Sequence, residues 1–294
     1  MLSFLISKRE EYPKFIDINN SIKHIYEILD EKNYDLIKDT VDEAICVCND
    51  IKVQAIENQN ENVANSTYVI CSYLKILSNY AIYWKYLEEG KYRESWDVLQ
   101  NCLDSLICVS RFTEDRSVYC LELWDQHLRM LEKLYPFRVF SSIEMVIKHA
   151  KCSICGRSII DFNCEHIPGN LYWGEMAYSI VEDAELKAVA MVSHPLDKRC
   201  VVEAQGDDRP KEEKYQLLHY FFTNNKDPLR MFDIEEIPRL YFNEKYLTYR
   251  RNDKCLCGSG KKFKKCCGEN KYEKGIHYKI VFKNRMPTNK ILEY

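Results

Sequence analysis

Cys255-Leu256-Cys257-Gly258-Ser259-Gly260-Lys261-Lys262-Phe263-Lys264-Lys265-Cys266-Cys267-Gly268 holds four cysteines within 13 residues. A C-x-C pair, eight intervening residues and two adjacent cysteines supply four thiolates to one tetrahedral ion. Soft ligands in that geometry select Zn²⁺. Gly258 and Gly260 permit the tight reversal that closely spaced ligands need. Four thiolates around a dication leave a net negative site, which Lys261, Lys262, Lys264 and Lys265 offset. No amphipathic run of useful length lies here, so the metal is expected to take the place of a hydrophobic core.

With Cys255, Cys257, Cys266 and Cys267 in the pattern C-x-C-x8-C-C, the stretch resembles the SEC-C zinc-binding motif found at the C-terminus of the translocation ATPase SecA and in many otherwise unrelated bacterial proteins. The resemblance covers about 20 residues of the 294. It implies a structural zinc and a knuckle that docks a partner, with no chemistry of its own.

A second cluster lies upstream. Lys151-Cys152-Ser153-Ile154-Cys155-Gly156 followed by Cys164-Glu165-His166 gives C-x2-C-x8-C-x-H, a complete Cys3His ligand set. The spacing between second and third ligands is eight residues in both clusters. Two zinc ions per chain are therefore expected. A thioredoxin-like reading of Cys152 and Cys155 requires a preceding strand, and Ile143–Ala150 reads instead as an amphipathic segment. Cys164-Glu165-His166-Ile167-Pro168-Gly169 also resembles the catalytic stretch of HNH nucleases of the treble-clef type. That resemblance implies the alternative reading: a metal-dependent nuclease with His166 and Glu165 at the catalytic step. The family's second C-x-x-C pair and closing ligand have no match here. Catalysis would also need an open metal position, whereas the Cys3His set reads as coordinatively closed.

The composition is that of a globular chain: 46% hydrophobic and 30% charged residues, with only 9 Gly and 8 Pro. Few glycines argue against phosphate loops and for long helices. Fourteen cysteines without a targeting signal in Met1–Phe15 predict thiolate ligands in a reducing, cytoplasmic setting, and no stretch is apolar enough for a transmembrane segment. Charge is uneven. Residues 1–150 carry 17 Lys and Arg against 24 Asp and Glu, whereas residues 250–271 carry 8 against 2. The basic tip suits an acidic protein, RNA, DNA or an anionic phospholipid surface.

Residues 1–150 read as an irregular helical bundle. Ile18, Ile22, Ile25 and Leu29 give a first helix, and Asn33 opens a second through Leu36, Ile37, Val41, Ala44 and Cys48. A turn over 57–65 precedes a helix opened by Ser66 or Thr67 and ending near Gly90. Helices over 92–110 and about 113–134 follow, the last stopped by Pro136. Tyr83, Gly90, Tyr92, Trp96 and Leu99 resemble one tetratricopeptide hairpin, without the period of a true array. Cys46, Cys48, Cys71, Cys102, Cys108 and Cys120 read as small core residues, and His24 and His127 as surface or core-edge residues.

Strands are expected over 186–192, 200–204 and 277–282, a helix over 211–222, and short helices over 229–249. The predicted architecture is mainly α: a scaffold over 1–150, a small α+β zinc-knuckle region over 151–206, a helical connector over 207–250, and the C-terminal zinc module with a terminal strand over 251–294. Tyr92–Leu103, the Leu134-Tyr135-Pro136-Phe137 segment and the two cysteine clusters are similar to a group of bacterial proteins of unassigned role. General resemblance to such proteins implies a mobile-element or defence setting. No P-loop, dinucleotide loop or nucleophile with a local base is present. The expectation is a non-enzymatic zinc-binding adaptor, with Lys261, Lys262, Phe263, Lys264 and Lys265 facing a protein partner.

Overall fold

The computed structural model describes residue 8, residues 10–203, residue 206 and residues 208–288. It forms two compact units, one of them Met231–Asn284, the other the remaining described residues.

The larger unit is built on helices α1 (Lys14–Glu31), α2 (Tyr34–Glu57), α3 (Glu61–Glu88), α4 (Tyr92–Arg111) and α5 (Leu121–Lys133), each packed on the next in chain order. Tight turns link the first four, and Gly90 adopts φ +67° where α3 reverses into α4. Helix α3 is central: 17 of its 28 residues are buried, which only a helix surrounded by neighbours on several sides can achieve. It opens earlier than Ser66 or Thr67. Asn60 caps it, its Oδ1 accepting from Val63 N at 3.2 Å. Ser66 and Thr67 lie inside, their hydroxyls donating to the carbonyls of Asn62 and Ala64 at 2.7 Å. That back-bonding lets a polar stretch stay helical.

The fifth helix also differs from the periodic reading, starting at Leu121 instead of near Thr113. Tyr119 and Cys120 take φ of 52° and 54°. Tyr119 stacks on Tyr73 at 4.8 Å and donates to Asn19 Oδ1 at 2.6 Å, so burying its ring bends the backbone out of the helix.

His127 is fully buried, not at the core edge. Tyr80 donates to the Pro228 carbonyl, and its oxygen, 2.7 Å from His127 Nε2, accepts from the imidazole. Burial pushes the imidazole down to about 4, against about 6.5 in an unfolded chain. The unfolded state therefore binds the extra proton first. Stability is full above pH 6.5 and falls as the pH drops toward 4, by on the order of 3 kcal/mol. Urea midpoints at pH 7 and 4.5 should differ less for His127→Gln than for the native chain. Equal differences would show that the imidazole contributes nothing.

Cys46 and Cys48 point apart on α2, one exposed and one buried, so their C-x-C spacing does not form a site.

A long antiparallel ribbon follows, formed by β1 (Phe140–Cys152) and β4 (Ser179–Val192), with a short hairpin of β2 (Leu171–Tyr172) and β3 (Glu175–Met176) between them. A strand thus does lead into Cys152. Its period of two is plain at Ile143, Met145 and Ile147, but a register shift at Lys148 breaks the alternation before Ala150. The expected strand over 200–204 reduces to a bridge between Phe140 and Val201, and Ala204 lies outside the described residues. The loop 193–199 is tied to α4 and α5. Arg199 meets Asp104 at 2.9 Å, Lys198 meets Glu132 at 2.7 Å, and Trp96 Nε1 donates to the Lys198 carbonyl at 2.8 Å. Helices α6 (Lys211–Lys214) and α7 (Gln216–Asn224) complete this unit. Tyr92 Oη lies 3.0 Å from His219 Nδ1, which makes the histidine a packing residue.

The short helices expected over 229–249 are instead mostly strand: β5 (Arg230–Phe242) pairs with β6 (Tyr272–Arg285). Ile234, Ile237 and Leu240 carry a helical spacing, yet a partner strand satisfies the backbone, and Pro238 is tolerated because the pair is all edge. Among the described residues no helix is long and apolar enough to cross a membrane.

Candidate metal centres

The ribbon and the hairpin position the first cluster. Cys152 ends β1, and its carbonyl accepts from Gly156 N at 2.9 Å, closing a knuckle in which Gly156 takes φ +70°. The Ile154 amide lies 3.4 Å from the Cys152 sulfur. Backbone N–H groups of Cys155 and Ile154 aimed at this sulfur lower its pKa, as a metal-bound thiolate requires. A second turn brings in the remaining ligands: Cys164 N donates to the Asp161 carbonyl at 2.9 Å, and Asp161 Oδ1 accepts from Asn163 N at 2.9 Å.

The result is a quartet. The ligand atoms of Cys152, Cys155, Cys164 and His166 all lie within 4.8 Å of one another. Cys155 Sγ is 3.6 Å from Cys164 Sγ, and Cys164 Sγ is 3.9 Å from His166 Nδ1. Tetrahedral ligands on zinc, with bonds near 2.3 Å, sit about 3.8 Å apart, so the spacing fits. Tyr172 stands edge-on to the His166 ring at 4.7 Å and holds its plane. Glu165 is exposed, and its backbone carbonyl faces the Tyr172 hydroxyl.

Helices α2 and α3 hold the knuckle from below. Gly174 N donates to Asn65 Oδ1 at 2.7 Å, Trp173 N donates to Glu61, and Lys52 pairs with Glu175 at 3.0 Å. A Cβ on Gly174 would lie 2.7 Å from the Ala64 carbonyl, so this contact admits glycine alone. Asn65 and Tyr172 are supporting residues that the sequence reading missed. Nothing in a helix pattern marks Asn65, whereas the aromatic loop 169–174 was visible beside the ligands.

In the smaller unit, Cys255 N donates to the Lys261 carbonyl at 2.8 Å and Gly258 N donates to the Cys255 carbonyl at 3.3 Å. Gly258 and Gly260 both take positive φ, as the reversal requires. Cys255, Cys257, Cys266 and Cys267 again lie with all sulfurs within 4.8 Å of one another, Cys257 being 3.5 Å from both Cys255 and Cys266. Ser259, through its hydroxyl and its backbone N–H, pulls the Cys257 thiol down to about 6. The neighbouring Cys255 and Cys257 sulfurs push Cys267 up to about 12. Four thiolates this close repel one another, and a dication among them relieves that repulsion.

Phe263 departs from the expectation that it faces a partner. It is 5% exposed and packs on Tyr246 at 5.2 Å and beside Cys255. Gly268 lets the chain press on it, since a Cβ there would meet the Phe263 carbonyl at 2.6 Å. Lys261, Lys262 and Lys265 are exposed and Lys264 half-buried; among the described residues none of the four forms an ion pair.

The SEC-C motif matches residues 251–269. A UPF0225 protein of Vibrio vulnificus (strain YJ016) is 62% identical over 34 residues, which are 12% of this chain and 20% of that protein. A UPF0225 protein of Vibrio parahaemolyticus matches to the same extent. The protein translocase subunit SecA of Syntrophus aciditrophicus is 37% identical over 76 residues, 26% of this chain and 8% of that protein. The chain thus spans a fifth or less of the length of these relatives. No solved structure matches it. The chain is a mainly helical protein with a zinc-binding SEC-C motif near one end and a second cluster of the same ligand chemistry at its centre.

Proposed function

We propose that this chain is a non-enzymatic adaptor that carries one Zn²⁺ in each quartet and docks an acidic protein through the lysine-rich loop of the smaller unit. The observation that carries the reading is the second quartet itself, with four cationic side chains around it and no intramolecular counter-charge within reach. Phe263 serves this surface from beneath, by holding the loop against Tyr246. The matched stretch forms only 8% of a translocase subunit and 20% of the UPF0225 proteins, which supports reading it as a portable module.

At the first quartet all four groups face one another, and His166 lies with the sulfurs, a ligand's place. Zinc there would cross-link the strand-turn-loop and leave no open position for a nucleophilic water. The nuclease alternative through His166 and Glu165 therefore receives no support from the geometry.

The test is capture by the full chain followed by measured affinity. Changing Lys261, Lys262, Lys264 and Lys265 together to Glu should weaken the captured acidic protein by about 100-fold or more, because each like-charge contact is unfavourable. Zinc content should stay unchanged. Undiminished binding, or capture of RNA, DNA or anionic vesicles in place of protein, would overturn the assignment.

A further inference from the structure

The ribbon of β1 and β4 displays an apolar face that the metal sites do not use. Cross-strand partners share a face, so the rungs Ile143–Val189, Met145–Leu186 and Ile147–Ala184 stand on one side. The rungs Ser142–Ala190, Glu144–Ala188, Val146–Glu185 and His149–Asp183 stand on the other. The register shifts preserve this sorting. The extra residue Lys187 lets Leu186 and Val189 share a face although three positions apart, and Lys148 does the same between Ile147 and Ala150.

The sorting does not hide the apolar side. Ile143, Met145, Ile147, Leu186, Val189 and Met191 are between 40% and 77% exposed. Their exposed area is on the order of the 800 Å² that one partner contributes to a standard interface. An isolated two-stranded ribbon is marginal in water, and a contiguous apolar patch of this size marks an interaction surface.

From this we infer that the face packs against the same face of a second copy of the chain. Two observations favour a second copy over a different protein. The ribbon's charges are satisfied within it: Lys148 meets Glu185 at 3.5 Å, Lys151 meets Glu182 at 2.6 Å, and Lys187 also pairs with Glu185. Nothing is left over to select an acidic or basic partner. The stripe is also self-complementary about its middle. A two-fold axis through the Met145–Leu186 rung lays the bulky Ile143–Val189 rung on the slimmer Ile147–Ala184 rung of the other ribbon, as an isologous interface requires.

Sedimentation velocity of the full chain from 1 to 100 µM (roughly the range over which weak dimers form) should show a monomer–dimer equilibrium. Leu186→Glu should raise its dissociation constant at least ~100-fold. Val189→Lys is a second route should the first variant not fold, and Val146→Lys, on the opposite face, should leave the dimer intact. A native chain that stays monomeric throughout overturns the inference, whether the face then proves covered by another part of the chain or by a different captured protein. Dimers that survive both apolar-face substitutions in folded chains overturn it equally.

Discussion

Cys255→Ser combined with Cys257→Ser should lose one of two zinc ions and unfold residues 251–269 while leaving the helical unit intact. The effect is large because little else holds that segment. Its buried apolar side chains are Tyr246 and Phe263 beside Cys255, contributing about 5 kcal/mol. Fixing some twenty residues costs about 20 kcal/mol in backbone entropy. The deficit is of the size that a structural zinc supplies, about 10–16 kcal/mol. Metal analysis and amide dispersion of the variant check this, the expected result being random-coil shifts confined to the C-terminal cluster. A variant with native shifts there would show that the loop folds without its metal.

The second large effect is expected at Trp96. Its indole packs on Tyr135 and Phe137 at 5.0 and 5.1 Å, lies parallel to Phe140 at the foot of the ribbon, and donates to the Lys198 carbonyl at 2.8 Å. Trp96→Ala removes the ring, opens a cavity and leaves that carbonyl without its donor. The loss should be about 4 kcal/mol, and about 10 °C in Tm. Trp96→Phe, which keeps much of the ring contact, should cost less than half as much. Calorimetry of the two variants separates a packing anchor from a surface aromatic, and a shift under 2 °C (about 1 kcal/mol) for the alanine variant would refute the anchor role.

Both sites were legible in sequence because cysteine spacing survives any local fold: eight residues between second and third ligands close a loop of the right size twice. The long helices were legible for a similar reason, since Ile18, Ile22, Ile25 and Leu29 repeat at the helical period and are buried as that period demands. What was hidden followed from tertiary contacts. The alternation of β1 is broken at Lys148, where the register shifts, so thirteen residues of strand read as an amphipathic segment. Strand β5 carries isoleucines at helical spacing, and only its pairing with β6 decides against a helix. Ser66 and Thr67 resemble a cap, yet Asn60 binds the orphan amide first. Phe263 sits among lysines and reads as exposed, but two adjacent ligands on a small ring of backbone leave one side chain to fill the interior, and it is that one.

The central claim is that two metal ions stand in for missing core in this chain. Native mass spectrometry of the purified protein tests it most directly. The account predicts a mass exceeding the polypeptide by two zinc ions, both released by a strong chelator together with the amide dispersion of residues 251–269. A folded chain that carries no metal, with a spectrum unchanged by the chelator, would contradict it.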